Sequence, residues 1–250
     1  MAITFGVVIP TYYANQETFQ RACATLGTLR DQTYPHWQLY LIGDRYEPAE
    51  AFTQLAELLP REKVVALNLP RAVERETSSG LALWCTGGRM ANNIALTMQQ
   101  RDGIRYTCHL DHDDLWQPDH LATLADAYAQ FPGAAFVYTR ALYRAPTCNF
   151  HLPRENAKPG YNNLLPRIGN IVHAAVSWRL DWIPLRYRAH PEEPADAYMW
   201  SLILEWCRRK GLPVVHVPKV TVIKESRKQD RLVYQWRKEA KEAKVRAALL

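Results

Sequence analysis

Apolar and polar positions up to about residue 143 follow two alternating patterns. Short apolar runs rich in β-branched residues predict strands, whereas longer segments with apolar positions three and four residues apart predict helices. The strands are expected at 5–9, 38–42, 64–69, 105–110, 134–143, 171–178 and 214–223. The helices are expected at 16–31, 48–59, 89–100, 118–131 and 195–210. Because strands alternate with helices, the pattern predicts an α/β fold with a mostly parallel central sheet flanked by helices.

Two segments depart from this alternation. Residues 144–170 contain four prolines and few apolar runs, which predicts a long irregular connection of the kind that usually carries function. Over 225–250 we expect a basic amphipathic helix that docks on the body, joins a homo-oligomer, or contacts an anionic membrane surface. Its apolar face would consist of Val233, Trp236, Ala240, Ala243, Ala247 and Leu250.

Composition excludes several classes of protein. The chain has 250 residues, 48% of them hydrophobic, so it can bury a full core. It has no apolar run of the roughly 18 residues that a membrane span needs, and the N-terminus lacks the pattern of a secretory signal. Five scattered cysteines without a C-x-x-C pair argue against a disulfide framework and a thiolate zinc site. We therefore expect a cytoplasmic protein, membrane-associated only through its C-terminal helix.

The net charge of +6 is concentrated at the C-terminus. From Lys224 to Leu250 there are nine Lys or Arg against four Asp or Glu, a net of +5, so the other 223 residues carry +1. A nucleic-acid-binding protein clusters its basic residues on a face of the fold. The distribution therefore argues against nucleic acid as a partner.

An acidic tetrad, Asp111-His112-Asp113-Asp114, follows the strand predicted at 105–110. Three carboxylates in four residues repel one another unless a cation or hydrogen-bond donors neutralise them. In extended backbone Asp111 and Asp113 would project from one face, and two such carboxylates suit Mg²⁺ or Mn²⁺. An exposed acidic turn that caps the helix beginning near Pro118 is the alternative. Open α/β sheets bind ligands at the carboxyl ends of their strands, which favours the metal site.

Further motifs stand in a fixed order around the tetrad and resemble those of the inverting family 2 glycosyltransferases of the GT-A fold. That family typically shows V-I-P-T-Y-N, Q-T-Y-P-N-W-E-L, an aspartate pair after strand two, A-R-N, L-D-S-D-D and W-x-P-x-x-L. The resemblance covers residues 4–140 and, more loosely, 190–224. The matching residues here are Val8-Ile9-Pro10-Thr11-Tyr12, Gln32-Thr33-Tyr34-Pro35-His36-Trp37, Asp44, Ala91-Asn92-Asn93, the tetrad, Trp116, Pro118 and Leu121.

The resemblance implies a GT-A fold, the Rossmann-like fold of nucleotide-diphospho-sugar transferases, over residues 1–224. Residues 1–115 would form the nucleotide-binding half and 116–224 the acceptor half, with 225–250 appended. The implied donor-binding set, to which we add Arg89, is Pro10, Thr11, Tyr12, Asp44, Arg89, Asn92, Asn93, Asp111 and His112.

The resemblance also implies individual roles. Asp113 would bind a Mn²⁺ or Mg²⁺ ion, and Asp111 would bind the ribose and assist the metal, which neutralises the donor diphosphate. Asp44 would accept a hydrogen bond from the nucleobase or ribose, and the Tyr12 ring could stack on the base. Asp44 as a turn residue and Tyr12 as a packing residue are the alternatives.

A base for the acceptor hydroxyl is implied at Asp196, which matches the aspartate of an E-D motif at a helix start. The helix dipole would keep this carboxylate ionised and able to accept a proton. A purely capping role is the alternative for Asp196, and Glu192 and Glu193 are the nearby alternatives for the base. Lys224 and Arg227 could reach the diphosphate.

Three positions depart from the family pattern. Gly43 replaces the first aspartate after strand two, Asn92 replaces the arginine of A-R-N, and Ala195 replaces the glutamate of E-D. Arg89 lies one helical turn before Asn92, so we expect it to supply the missing cation; a surface arginine is the alternative.

The motifs together predict a metal-dependent inverting glycosyltransferase. It would move a sugar from a nucleoside-diphosphate sugar, expected to be UDP-linked, to a hydroxyl of a glycan or other acceptor in surface or secreted glycan assembly. One alternative is a sugar-1-phosphate nucleotidyltransferase, which should carry a glycine-rich loop after strand one, where residues 10–15 have no glycine. The substitutions at 43, 92 and 195 leave a catalytically impaired nucleotide-sugar-binding module as the other alternative.

Overall fold

The computed structural model describes residues 2–144, 171–190 and 193–225. Most of the connection at 144–170 and nearly all of the segment at 225–250, with Arg227, lie outside the described residues. The strands are β1 Phe5–Thr11, β2 Trp37–Gly43, β3 Val64–Asn68, β4 Tyr106–His109, β5 Asp114–Trp116, β6 Phe136–Arg144, β7 Val176–Arg179 and β8 Val214–Glu225. The α-helices are α1 Gln16–Arg30, α2 Ala49–Ala56, α3 Val73–Thr77, α4 Gly80–Thr86, α5 Arg89–Arg101, α6 His120–Gln130 and α7 Ala195–Lys210.

The described strands form one sheet in the order β3-β2-β1-β4-β7-β6-β8-β5. β3, β2, β1 and β4 are parallel neighbours, and β6 pairs in parallel with β8. β7 is antiparallel to both β4 and β6, and β5 is antiparallel to β8. Six strands therefore share one direction and two are reversed, which confirms the predicted mostly parallel sheet.

Helices cover both faces of the sheet, because the strands alternate the sides on which they bury apolar residues. Phe5, Val7 and Ile9 of β1 pack in the layer that contains α1, α2 and α6. Val8 points to the opposite layer, where β2 packs on α5. A third cluster joins α7 to β6 and β7 through large aromatic side chains. The core is thus a helix–sheet–helix sandwich, as the alternation predicted.

The predicted elements differ from the structure in three places. β5 has only three residues and begins inside the acidic tetrad, so no apolar run marks it in the sequence. The short helices α3 and α4, of five and seven residues, were not predicted. The predicted strand at 171–178 is partly wrong, because His173–Ala175 forms a buried 3₁₀ turn and the strand begins only at Val176.

The parallel strands bring several loops to one edge of the sheet. Thr11 ends β1 and pairs with Gly43, the last residue of β2. The next residue, Asp44, donates its backbone N–H to the Thr11 carbonyl at 2.7 Å. After β4, the Leu110 N–H donates to the Val8 carbonyl at 3.0 Å, which places the tetrad beside the end of β1. Asp44, Thr11 and Asp111 therefore lie at the same edge of the sheet, where the parallel strands have their carboxyl ends. This edge is called the carboxyl edge below.

The absence of a side chain at Gly43 has a packing reason. A Cβ there would lie 2.6 Å from Oδ1 of Asn68 and 2.8 Å from a ring carbon of Phe52. Asn68 is itself fixed, because it accepts from the Tyr46 N–H at 2.8 Å and donates to the Tyr46 carbonyl at 3.0 Å. The space that an aspartate side chain would need at this position is filled by Asn68 of β3 and Phe52 of α2.

We expect Gly43→Ala to destabilise the protein by about 1–3 kcal/mol, because the new methyl group overpacks a fixed contact. The matched control is Gly27→Ala in α1, where an added Cβ meets no atom within 4 Å. The control should stabilise the protein by about 0.5–1 kcal/mol, since alanine favours a helix over glycine. Urea unfolding of both variants measures the difference, and equal stabilities would contradict this packing account.

Candidate active site

The four tetrad residues form a turn between β4 and β5. The Asp114 N–H donates to the Asp111 carbonyl at 3.0 Å, so the expectation of an extended tetrad is wrong. The carboxylates differ sharply in exposure: the side chain of Asp111 is 27% exposed, Asp113 is 4% exposed and Asp114 is fully buried. The turn thus places three neighbouring carboxylates in three environments, which makes distinct chemical roles available to them.

Asp114 is neutralised from within the protein. β5 pairs with β8 so that Asp114 lies opposite Lys224, whose Nζ is 3.0 Å and 3.1 Å from the two carboxylate oxygens. Burial raises the pKa of Asp114 to about 6, although Lys224 acts in the opposite direction. Lys224 Nζ also lies 3.8 Å from Oδ2 of Asp111. Lys224, expected at the diphosphate, therefore contacts the carboxylates of Asp114 and Asp111.

Asp111 is held by a histidine that the sequence did not single out. His173, in the 3₁₀ turn before β7, lies with Nδ1 2.7 Å from Oδ1 of Asp111 and Nε2 2.9 Å from the Tyr187 hydroxyl. Burial alone lowers the pKa of His173, but the Asp111 carboxylate outweighs it and the pKa is raised overall. Asp111 and His173 are 62 residues apart, so only the folded sheet reveals the contact.

Two of the residues expected to bind the donor, Thr11 and Tyr12, contact His112 of the tetrad. Thr11 Oγ1 is 2.9 Å from Nδ1 of His112, and the His112 ring lies 4.9 Å from the Tyr12 ring. The cluster of Thr11, Tyr12 and His112 is contiguous with the ends of β1 and β4. The cluster provides an aromatic ring and hydrogen-bonding groups at the carboxyl edge of the sheet.

Sequence reasoning missed Arg75, which joins Asp44 to this cluster. Its Nε donates to Oδ2 of Asp44 at 2.8 Å, and its guanidinium also contacts the Asp44 carbonyl. The guanidinium carbon lies 5.2 Å from the centre of the Tyr12 ring, within cation–π range. The position of Arg75 in the sequence could have identified it, because it follows β3, whose carboxyl end lies at the same edge of the sheet.

The first turns of α5 place the expected donor residues Asn92 and Asn93 in supporting contacts. Oδ1 of Asn92 lies 3.2 Å from Nδ1 of His109, the last residue of β4. Asn93 binds the Tyr187 backbone twice, accepting from its N–H at 2.8 Å and donating to its carbonyl at 2.9 Å. Their contacts join α5 to β4 and to the segment after β7, and their roles toward a donor stay predictions.

Arg89 begins α5 next to an acidic partner. Its Nε lies 3.6 Å from Oε1 of Glu74, and that buried carboxylate also accepts from the Met90 N–H at 2.8 Å. Glu74 therefore occupies the N-terminus of α5, where an anion is favoured. The expected reach of Arg89 to the diphosphate stays a prediction, and Arg75 is the arginine that contacts Asp44.

Asp196 is the second residue of α7, as the sequence predicted. Its Oδ1 accepts from the Ala197 N–H at 2.8 Å, and the side chain stays partly exposed. Burial raises the pKa of Tyr187 well above its usual value, and the charges of Asp196 and then Asp111 raise it further. Both carboxylates thus act on one hydroxyl, which brings the predicted base and the tetrad into the same neighbourhood.

The donor set at the tetrad suits a hard divalent cation. Within the described ranges no group of three or more His, Cys, Asp and Glu side chains is placed to hold a metal alone. Mg²⁺ and similar ions are commonly held by one or two carboxylates, with substrate phosphates and water completing the shell. Asp113 and Asp111 supply carboxylates of this kind, whereas Asp114 is paired with Lys224.

Comparison with known proteins decides the family. An uncharacterized glycosyltransferase of Acanthamoeba polyphaga mimivirus is 34% identical over 229 residues, which cover 88% of this chain and 92% of the relative. This chain belongs to the glycosyltransferases. The amylovoran biosynthesis glycosyltransferase AmsB of Erwinia amylovora is 28% identical over 119 residues, 48% of this chain and 34% of AmsB. No family model matches the chain.

Solved structures show the GT-A fold of this glycosyltransferase. TarS 1–349 of S. aureus in complex with UDP aligns with a TM-score of 0.62 at 13% identity, covering 92% of this chain and 64% of TarS 1–349. The mannosyltransferase PcManGT of Pyrobaculum calidifontis, in complex with GDP-Man and Mn²⁺, aligns with a TM-score of 0.60 at 16% identity. That alignment covers 91% of this chain and 58% of PcManGT. The predicted fold class is confirmed.

A membrane-spanning helix was not expected, and the described part of the glycosyltransferase contains no helix with the length and apolar character to cross a bilayer.

We expect Lys224→Met to destabilise the protein by about 3 kcal/mol at pH 8, because it leaves the buried Asp114 carboxylate without its closest cation. The folded-state pKa of Asp114 is already raised, and removing Lys224 raises it further. A raised folded pKa means that stability is lost as pH rises through that value. The destabilisation should therefore be smaller at pH 5, where Asp114 is largely protonated.

The matched control is Lys219→Met, on the same strand, which breaks an exposed ion pair with Asp119. It should cost at most about 1 kcal/mol at either pH. Urea unfolding at pH 5 and pH 8 measures both variants. A larger effect of Lys224→Met at pH 5 than at pH 8 would contradict the assigned charge state.

Proposed function

We propose that this glycosyltransferase transfers a sugar from a nucleoside-diphosphate sugar, UDP-linked, to an acceptor hydroxyl with inversion at the anomeric carbon. One observation carries the proposal: Tyr12, Asp44, Arg75 and the tetrad converge on one carboxyl edge of the sheet. Structural relatives support the donor class, since TarS has been solved with UDP and PcManGT with GDP-Man. The family assignment favours transfer over the nucleotidyltransferase alternative.

The nucleoside would bind to Tyr12, Asp44 and His112. The Tyr12 ring would stack on the base, and the Asp44 carboxylate would accept a hydrogen bond from the base or ribose. Because Arg75 already binds Asp44, the carboxylate would be shared between the arginine and the nucleoside. Arg75 also brings positive charge to a ligand that carries a diphosphate.

Asp113 and Asp111 would hold a Mn²⁺ or Mg²⁺ ion beside the diphosphate. Such an ion would supply electrostatic stabilisation of the leaving nucleoside diphosphate. The crystallisation of PcManGT with Mn²⁺ supports this use of a divalent ion in a protein of the same fold. Lys224, 3.8 Å from Asp111, adds a protein cation to the same region.

Asp196 would be the base. The acceptor oxygen forms a bond to the anomeric carbon while its proton passes to the Asp196 carboxylate. The bond between that carbon and the diphosphate oxygen breaks, and the nucleoside diphosphate leaves with the bonding electrons. One displacement without an enzyme nucleophile gives inversion. The position of Asp196 at the start of α7, near Tyr187 and the tetrad, supports this role.

The acceptor is proposed to be a glycan or another hydroxyl compound in the assembly of surface or secreted glycans. The name of AmsB, an amylovoran biosynthesis glycosyltransferase, supports this acceptor class. A homo-oligomer or peripheral membrane contact through 225–250, and a cytoplasmic location, stay predictions.

We expect Mn²⁺ to raise the UDP affinity of the wild-type protein by at least about tenfold, and Asp113→Asn to abolish that gain. The substitution removes a charged ligand while keeping the side-chain shape. The control is Asp31→Asn, an exposed carboxylate paired with Arg30 on the surface, which should leave the gain intact. Calorimetry with Mn²⁺ and with EDTA measures the affinities. Equal affinities in both conditions for the wild type would refute the metal assignment.

We expect Asp196→Asn to lower turnover by about 10²–10⁴-fold, because the amide cannot accept the acceptor proton. UDP affinity should be unchanged, since Asp196 does not hold the donor. The nearby Glu193→Gln should keep near-normal turnover. Reaction rates with a panel of UDP-sugars measure the turnover of both variants. NMR of the first product formed gives its anomeric configuration. Normal turnover in Asp196→Asn, or retained anomeric configuration, would remove Asp196 from the role of base.

A further inference from the structure

A buried chain of hydrogen bonds lies behind the tetrad and ends on Asp111. We propose that His173 is a positioning residue that fixes the Asp111 carboxylate for metal and donor binding, with Tyr187 fixing the His173 ring. This inference rests on the proposed function, in which Asp111 contributes to the metal and ribose site. Neither His173 nor Tyr187 belongs to the set expected from the sequence motifs.

Both ring nitrogens of His173 are engaged. Nδ1 lies 2.7 Å from Oδ1 of Asp111, and Nε2 lies 2.9 Å from the Tyr187 hydroxyl. A carboxylate only accepts hydrogen bonds, so Nδ1 carries the hydrogen and donates it to Asp111. The two contacts fix the ring orientation at both ends of the imidazole. His173 is itself 6% exposed, so water does not compete for these contacts.

The contacts continue behind His173. The Tyr187 hydroxyl, 2.9 Å from Nε2 of His173, also lies 3.3 Å from Nδ1 of His109. Nδ1 of His109 in turn lies 3.2 Å from Oδ1 of Asn92. The series of contacts from Asn92 to Asp111 is therefore continuous, and its last hydrogen bond is donated by His173 to the carboxylate.

Packing prevents the two rings from turning away. The His173 ring lies 4.8 Å from His109 and 5.7 Å from Trp200, centre to centre. His109 stacks on Trp178 at 4.8 Å with an interplanar angle of 6°. Tyr187 is anchored separately, since Asn93 binds both its backbone N–H and its carbonyl. The hydroxyl that orients His173 is thus fixed by α5.

This arrangement decides which oxygen of Asp111 is available. With Oδ1 bound to His173, Oδ2 is directed toward the side of Lys224, 3.8 Å from its Nζ. Without His173 the carboxylate could rotate and close on Lys224 as a direct ion pair. An internal cation would then compete with the divalent ion, so the apparent metal affinity should fall. Hydrogen-bond partners behind metal ligands typically contribute about 10–100-fold to metal affinity.

The test measures UDP affinity by calorimetry across a Mn²⁺ titration, together with thermal unfolding. In His173→Leu the Mn²⁺ concentration for half-maximal enhancement should rise by about 10–100-fold. His173→Asn can still place an N–H donor near the Nδ1 position, so it should restore most of the lost Mn²⁺ affinity. Tyr187→Phe removes only the orienting hydroxyl and should shift the Mn²⁺ requirement in the same direction as His173→Leu, by less. UDP affinity in EDTA, where only the ribose contact of Asp111 is left, should change by less than the Mn²⁺ requirement.

The matched control is His120→Leu. His120 is also fully buried, lies 2.7 Å from the Thr221 hydroxyl and stacks on Trp116, and neither contact involves Asp111 or Asp113. It should lower the melting temperature without moving the Mn²⁺ requirement. If His173→Leu fails to fold, the Mn²⁺ requirement of Tyr187→Phe, measured in the same titration, tests the positioning role.

The possible failures are distinguishable. If the wild-type protein binds UDP equally well with Mn²⁺ and with EDTA, the proposed metal dependence and this inference are both contradicted. A Mn²⁺-dependent wild type with an unchanged requirement in His173→Leu, or in Tyr187→Phe when the former does not fold, contradicts the positioning role alone. Equal shifts in His173→Leu and His120→Leu would show a general loss of packing.

Discussion

Three carboxylates within one turn must share a partly buried space, and the surrounding structure reduces their repulsion. Neighbouring like charges repel each other strongly when water is excluded. Asp114 is fully buried and pairs with Lys224, while Asp111 accepts from His173. Asp113, 4% exposed, lies between them in the chain. The proposed divalent ion would complete this balance when the donor diphosphate arrives with further negative charge.

The sheet order supplies each of these partners. Parallel strands β1, β2, β3 and β4 deliver the loops that carry Tyr12, Asp44, Arg75 and the tetrad to one edge. The reversed strand β7 begins at that edge, so the 3₁₀ turn before it can place His173 behind Asp111. β8 pairs with β5 and thereby sets Lys224 opposite Asp114. The mixed half of the sheet thus provides His173 and Lys224, the two groups that bind tetrad carboxylates.

The sequence predicted the fold where the signal is local. The apolar periods identified the long helices and most strands, and the tetrad was identified because its three carboxylates are adjacent. Contacts made across the fold were not predicted: Arg75 reaches Asp44 over 31 residues, His173 reaches Asp111 over 62, and Lys224 reaches Asp114 over 110. The turn at 111–114 was mistaken for extended backbone, because short acidic segments carry no apolar pattern that fixes their conformation. Gly43 shows the same limit, since the reason for its missing side chain is the packing of Asn68 and Phe52.

In the proposed function the tetrad edge binds the donor diphosphate through a divalent ion. Anomalous diffraction at the manganese absorption edge, from crystals grown with UDP and Mn²⁺, shows whether that ion is present. We expect one Mn²⁺ peak about 2.1 Å from a carboxylate oxygen of Asp113 and in contact with the diphosphate. Asp111 should remain hydrogen-bonded to His173. UDP bound at this edge without a manganese peak, or a peak away from Asp113, would overturn the proposed metal site.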